Sequence, residues 1–243
     1  MKIIINGANG RMGRILTETI DQSGVHEAVA RVDWSYAAGD GYSTLSQYVG
    51  PADMVIDFSN HAATGQVLDY CLERGLPVVI ATTGQTEEEL AQIRRAAERI
   101  PVFLSGNMSI GVALLAQLAK KVASVFADCD IEIIERHHNQ KLDVPSGTAL
   151  LLARRIQEAR TDARLVVGRH ENGKRAPEEI GIHSLRYGGE VGTHEIIFAA
   201  GSETITLKHE AENRSLFARG AVAAAEFLAH SAPGLYDMKH IVE

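Results

Sequence analysis

The sequence predicts an α/β protein: a doubly wound parallel sheet, followed by a second, α+β region built on a mixed sheet. Three observations carry that expectation. Over residues 1–105, apolar runs of strand length alternate with amphipathic segments, as they do in βαβ units. A glycine-rich turn, GANGRMG at 7–13, separates the first run from the first amphipathic segment. Beyond Asn107 the pattern changes to several strand candidates broken by GlyGly and GlySer turns, which favours a mixed or antiparallel sheet.

Taken in order, the strand runs are Ile3 to Ile5, Ala28 to Val32, Met54 to Phe58, Val78 to Ala81 and Val102 to Leu104. Between the first two, Met12, Ile15, Leu16 and Ile20 recur at helical spacing. Val67, Leu68 and Cys71 do so again, with Gly75 as a C-terminal stop, and Thr86 with Glu89 forms a capping-box pair opening a third helix. The second region reads as a helix from Ile110 to Val122, a strand from Ile131 to Glu135 and a helix from Thr148 to Glu158. Strand candidates follow in ARLVVGRH, IGIHSLRYGG, HEIIFAA and TITLKHEA, and a last strong helix runs from Leu216 to His230.

Composition narrows the function classes. Of the 243 residues, 45% are hydrophobic and 23% charged, ordinary for a globular protein with a buried core. The formal charge of −7 and the lack of a basic, aromatic-interleaved run argue against nucleic acid as a partner. No apolar run approaches a membrane span and a strand follows Met1 at once, so a cytoplasmic location is expected. Cys71 and Cys129 lack metal-ligand spacing and read as two buried thiols in a reducing compartment.

The turn at Gly7, Gly10 and Gly13 is spaced GxxGxxG and sits between a strand and a helix. Small residues there let the backbone approach a pyrophosphate, whose charge then meets the unpaired amides of the helix start. Asp33 closes the second strand twenty residues beyond Gly13, where a carboxylate can accept from the hydroxyls of an adenosine ribose. Strand, turn, helix, strand and acid in that order describe a Rossmann-type site for a nicotinamide dinucleotide. Trp34 stands where an enzyme tuned to a 2′-phosphate often places arginine, so NADH is favoured; Arg11 and Arg31 leave NADPH use open. Ala81, Thr82 and Thr83, with Ser105, Gly106, Asn107 and Met108, belong to the carboxyl edge of the same sheet.

The stretch ERHHNQKLDVPSGTA, 135–149, gathers two imidazoles, an ammonium and a helix start. Ser146, Gly147 and Thr148 offer amides and hydroxyls suited to a carboxylate, while His137, His138 and Lys141 can position a small acid and deliver protons. Taken singly, each histidine reads as a structural residue and Lys141 beside Asp143 as a surface pair; their concentration in one loop favours chemistry. Neighbouring side chains on a strand point to opposite faces and no third ligand has suggestive spacing, so no metal is expected.

GANGRMG, ATTG at 81–84, SGNMS at 105–109 and HHNQKLDVPSGTA at 137–149 together resemble the 4-hydroxy-tetrahydrodipicolinate (dihydrodipicolinate) reductase family over essentially the whole chain. The resemblance implies a dinucleotide domain at 1–108 completed by 214–243, and a substrate-binding and oligomerisation domain at 109–213 of a homotetramer. It also implies reduction of a cyclic dicarboxylate imine by NADH or NADPH in the diaminopimelate route to lysine. By the same matching, His137 exchanges a proton, Lys141 donates one, and His138, Gly147 and Thr148 hold substrate. Gly7, Ala8, Asn9, Gly10, Arg11, Met12, Asp33, Ala81 to Thr83 and Ser105 to Met108 would hold the cofactor. A related dehydrogenase of the same fold would share the glycine turn without needing HHxxKxDxPSGTA, and a non-catalytic sensor would have no use for Lys141. Two departures, a short stretch between Asp33 and Asp57 and Ala81 in place of the usual glycine, bear on how the cofactor is held.

Overall fold

A computed structural model describes residues 1–243 and divides into two compact units, Met1–Ile110 with Arg214–Glu243, and Gly111–Asn213. Strands β1 (Lys2–Asn6), β2 (Glu27–Val32), β3 (Met54–Asp57), β4 (Val78–Ile80), β5 (Pro101–Leu104) and β11 (Gly234–Tyr236) form the sheet of the first unit. Their order is β11-β5-β4-β3-β1-β2, and every pairing is parallel. Parallel strands need helices on both faces, which explains why these runs are almost continuously apolar. On one face Ile4, Val55, Val78 and Val102 pack with Val67, Leu68 and Cys71 of α2 (Thr64–Arg74) and Ile93 and Ala96 of α3 (Glu87–Ala97). Helix α6 (Ser215–Leu228) packs on α1 (Arg11–Ser23) and against β3, β4 and β5.

Local chemistry sets the helix ends. Thr86 accepts from the Glu89 amide at 3.2 Å and Glu89 from the Thr86 amide at 2.7 Å, so the expected capping box is formed. Gly75 ends α2 in the left-handed conformation. The short segment after Asp33 carries a single 3-10 turn, Leu45–Gln47, and is tied back to β2 by the Val32–Tyr42 bridge. Strand β11 was absent from the sequence expectation. It adds to the edge of β5, at a sheet edge where three residues suffice because the partner strand supplies the ladder.

In the second unit, β6 (Asp130–His137), β7 (Arg164–Val167), β8 (Glu179–Arg186), β9 (Gly192–Ala200) and β10 (Glu203–Ala211) form a mixed sheet in the order β10-β9-β6-β8-β7. β6 is parallel to β8 and antiparallel to β9. Period-two alternation turns Ile131 and Ile133 of β6, Ile180 and Ile182 of β8, and Ile196 and Phe198 of β9 to one face. These residues share a core with Leu115 and Ala119 of α4 (Ile110–Val125) and with Leu152, Ala153 and Ile156 of α5 (Gly147–Gln157). The opposite face carries ion pairs, among them Arg136–Glu195 and His183–Glu132. Both cysteines are buried free thiols, and no helix is long and apolar enough to cross a membrane.

Candidate active site

The first unit presents a cleft of about 770 Å³ at the carboxyl ends of its strands, lined by Gly7, Gly10, Asp33, Trp34 and Asn60 among others. It lies where the strand order reverses, between β1 and β3, the place at which open α/β sheets bind ligands. Gly7 takes φ +78°, and a Cβ on it would come 2.6 Å from the Phe58 carbonyl. A Cβ on Gly13 would collide with Gly7 and Ala8, so α1 starts hard against the turn. Gly7 and Ala8 both donate to the Val32 carbonyl, at 2.9 and 3.0 Å, which seats the turn on β2.

Asp33 accepts from the Asn9 amide at 3.1 Å, the Ser35 amide at 3.0 Å and the Ser35 hydroxyl at 2.6 Å. Burial pushes its carboxyl up, but the Ser35 and Asn9 hydrogen bonds and the Arg14 charge prevail and hold it below the usual range, so it is ionised. A carboxylate has about four acceptor positions, and three are filled; one remains on a residue that lines the cleft. Trp34 is 88% exposed in the same wall.

Asp57 anchors the crevice and was not singled out by sequence. Fully buried at the end of β3, it accepts from Asn6 at 2.8 Å, the Ser59 hydroxyl at 2.5 Å and the Thr82 hydroxyl at 2.7 Å. Burial nonetheless raises its carboxyl above the ordinary range. Thr82 is therefore a support for this carboxylate, while Thr83 is exposed and faces Gly106 closely enough that a Cβ there would sit 3.2 Å from its methyl. Ser105 and Asn107 brace their own turn, through Ser105 Oγ to the Asn107 carbonyl at 2.8 Å. Met108 differs from expectation: it is buried, and its carbonyl packs on Gly220 of α6, as a core residue does. Ala8 is likewise buried and offers backbone alone; Arg11 is exposed, and Ala81 is buried.

In the second unit, the core row of β6 reads Ile131, Ile133, Glu135, His137, so apolar packing gives way to polar groups at the strand's carboxyl end. Strand pairing sets Glu135 opposite His194 of β9 and His137 opposite Arg186 of β8. Glu135 is 0% exposed; its Oε2 lies 2.5 Å from His137 Nδ1. Arg186 donates to both carboxylate oxygens, at 2.8 and 2.7 Å, and the Ser146 amide donates to Oε1 at 3.1 Å. Burial works against the charge, yet these donors hold the Glu135 carboxyl far below its usual range. The His194 ring meets His137 edge-on at 5.1 Å, and its Nε2 pairs with Ser146 Oγ at 3.0 Å. Desolvation, with His137 nearby, brings His194 down to about 3, so it is neutral.

His137 is the last residue of β6, two beyond the expected strand end, and His138 opens the loop half-buried, with its amide on the Glu190 carbonyl at 2.8 Å. Lys141 pairs with Asp143 at 2.7 Å. The expectation of open amides at the start of α5 is corrected. Ser146 is buried, gives its amide to Glu135 and caps the Ala149 amide at 3.2 Å, and the Gly147 amide bonds Asp143. Ser146 thus supports the loop from within, whereas Gly147 is exposed and Thr148 half-buried. Ligand atoms of Glu135, His137 and His194 lie within 4.8 Å of one another, a third partner the sequence spacing concealed. Arg186 donates to both Glu135 oxygens and Ser146 Oγ pairs with His194 Nε2, so the three residues are joined in one hydrogen-bonded cluster.

Comparison with known proteins adds a second line of evidence. The families described as "Dihydrodipicolinate reductase, N-terminus" and "Dihydrodipicolinate reductase, C-terminus" match residues 1–108 and 111–242. A relative from Caldanaerobacter subterraneus subsp. tengcongensis, named 4-hydroxy-tetrahydrodipicolinate reductase, is 44% identical over 100% of this chain and 98% of its own length. One of the same name from Clostridium tetani is 41% identical over 98% of this chain and 95% of its own. The dipicolinate-bound dihydrodipicolinate reductase from Paenisporosarcina sp. TG-14 superposes with a TM-score of 0.84 at 28% identity, over 99% of each chain.

Proposed function

Because the chain belongs to the dihydrodipicolinate reductase family, we propose that its two units divide one reaction, the first holding NAD(P)H and the second a cyclic dicarboxylate. The enzyme reduces 4-hydroxy-tetrahydrodipicolinate, by way of dihydrodipicolinate, to tetrahydrodipicolinate in the diaminopimelate pathway to lysine. The observation that carries the assignment of roles is the loop 135–149, where His137 is clamped to a buried carboxylate and Lys141 stands before a helix start.

The residues of the first unit fit a dinucleotide: Gly7 and Gly13 leave no room for a Cβ in the turn, and Asp33 keeps one acceptor position on the cleft. Gly7 to Met12 would hold the pyrophosphate, Asp33 the adenosine ribose, and Thr83, Gly106 and Asn107 the nicotinamide side. When bound, the reduced nicotinamide supplies hydride to the conjugated imine. The ionised Asp33, with Trp34 in place of an arginine, supports a preference for NADH, because a carboxylate repels a 2′-phosphate.

Charge building toward the ring nitrogen of the substrate needs a proton, and a placed acid contributes about 10² to 10⁴-fold. Lys141 is the donor in this reading and His137 the group that gives or takes a proton. His138 and Thr148 fix the substrate carboxylates by charge-assisted hydrogen bonds, while Gly147, whose amide bonds Asp143, keeps the turn between them clear of a side chain. Ser146 contributes by holding Glu135 and His194 in place. A homotetramer assembled through the second unit and a cytoplasmic location belong to the same reading; light scattering on the purified chain tests the first.

A coupled assay tests the function: a dihydrodipicolinate synthase supplies the unstable substrate, and NADH and NADPH are offered in turn. Oxidation of NADH that needs the synthase is expected. Loss of neither dinucleotide would overturn the assignment.

A further inference from the structure

We infer that Glu135, clamped by Arg186, is the positioning residue for His137: it binds the proton on Nδ1 and leaves Nε2 as the nitrogen that exchanges a proton with substrate. This rests on the reading of His137 as a proton-transfer group.

An ionised carboxylate only accepts, so an Nδ1 lying 2.5 Å from Glu135 Oε2 must carry its hydrogen in both the neutral and the charged ring. Glu135 cannot swing away. Its two oxygens are gripped by both terminal nitrogens of Arg186 and by the Ser146 amide, and Arg186 is itself tied to the Asp143 carbonyl at 2.8 Å. Four donors on a fully buried carboxylate also keep it from taking the proton, because protonation would forfeit the bidentate pair.

The surroundings of the ring favour the same nitrogen. His194 is neutral, with Nε2 committed to Ser146, so it neither competes for the proton nor repels an imidazolium. Other titratable and charged groups about the ring include Glu190, whose carboxyl is held low by Thr193 and Tyr187 and by the nearby Arg136, and Lys141 and His209, whose fields reach His194. A Cβ on Gly192 would come 2.9 Å from His137 Nε2. Glycine at that position keeps the edge of Nε2 clear. When Nε2 gives its proton to substrate, the neutral Nδ1–H ring remains on Glu135; when it regains one, the imidazolium is paired with the same carboxylate.

Two readouts test this. In ring-nitrogen NMR of ¹⁵N-histidine protein, His137 of the native enzyme should be the Nδ1–H tautomer when neutral, and E135Q should shift it toward Nε2–H. E135Q should lower kcat by about 10²-fold, with KM and NADH affinity within about twofold. E135D should restore part of kcat. Should E135Q fail to fold, R186K and G192A serve instead, the first loosening the carboxylate and the second crowding Nε2; either should cost kcat more than KM. A ring that stays Nδ1–H in E135Q, or an unchanged kcat in both R186K and G192A, would overturn the inference. H137Q separates it from the premise: full activity in H137Q would remove His137 from catalysis while the NMR result still judged the tautomer lock.

Discussion

Replacing Asp33 with alanine probes the cofactor site most directly. Asn9 and Ser35 fill three of about four acceptor positions on this carboxylate, which leaves one for a ribose hydroxyl. A hydrogen bond to a charged group contributes about 1.5–3 kcal/mol, so D33A should weaken NADH by about 10- to 150-fold. The same change removes a negative charge facing a 2′-phosphate, a repulsion of about 1–3 kcal/mol before salt screens it. NADPH should therefore bind no worse than before, and the preference for NADH should fall by at least about tenfold. Trp34 makes the measurement simple. It is the single tryptophan of the chain and lies exposed in the cleft wall, so quenching of its emission by each dinucleotide gives the affinity without turnover. Unchanged NADH affinity would mean another group reads the ribose. A parallel loss of both dinucleotides would mean that Asp33 only holds the turn.

Lys141→Ala should lower kcat by about 10²-fold or more with NADH affinity nearly intact, measured by the coupled assay and by Trp34 quenching; full activity would remove the proposed donor. Ser146→Ala deletes the cap on the Ala149 amide and the bond to His194, and should cost about 1–2 kcal/mol in urea unfolding. His194 gives a pH signature. Its folded value, about 3, lies below the unfolded 6.5, so the unfolded chain binds more protons in between: stability is complete above 6.5 and falls with pH through that window. The loss at about pH 5 should be about 2 kcal/mol, and H194N should flatten the curve. Ile133→Ala, in the core beneath α5, should cost about 2–5 kcal/mol by the same measurement.

The elements readable in the sequence are those with local causes. The apolar runs of the parallel sheet, the Thr86–Glu89 box, the glycine turn and the strand-rich second region all announce themselves within a few neighbouring residues. Glu135, Arg186 and His194 did not, because they meet only through strand register, 51 positions separating Arg186 from Glu135. One clue was present: Ile131, Ile133, Glu135 and His137 keep the period of a core row while changing chemistry, and His194, Ile196 and Phe198 mirror it. Strand β11 escaped because three residues behind Pro233 carry too little periodicity and depend on β5 for their hydrogen bonds. Ser146 looked like a ligand because cap residues and anion receptors share a vocabulary of hydroxyls and amides; only burial tells them apart.

The insertion of residues 111–213 between the two segments of the first unit has a consequence for biogenesis. Helix α6 and strand β11 are translated after the inserted unit, so the sheet that carries the glycine turn waits on the ribosome with its β5 edge unpaired until the whole intervening unit has emerged. The inserted unit, whose segment is continuous, can collapse first. A nascent chain halted before Arg214 should thus contain an ordered middle and an open, sticky beginning, and the nucleotide-binding half should mature only once Arg214–Glu243 has emerged.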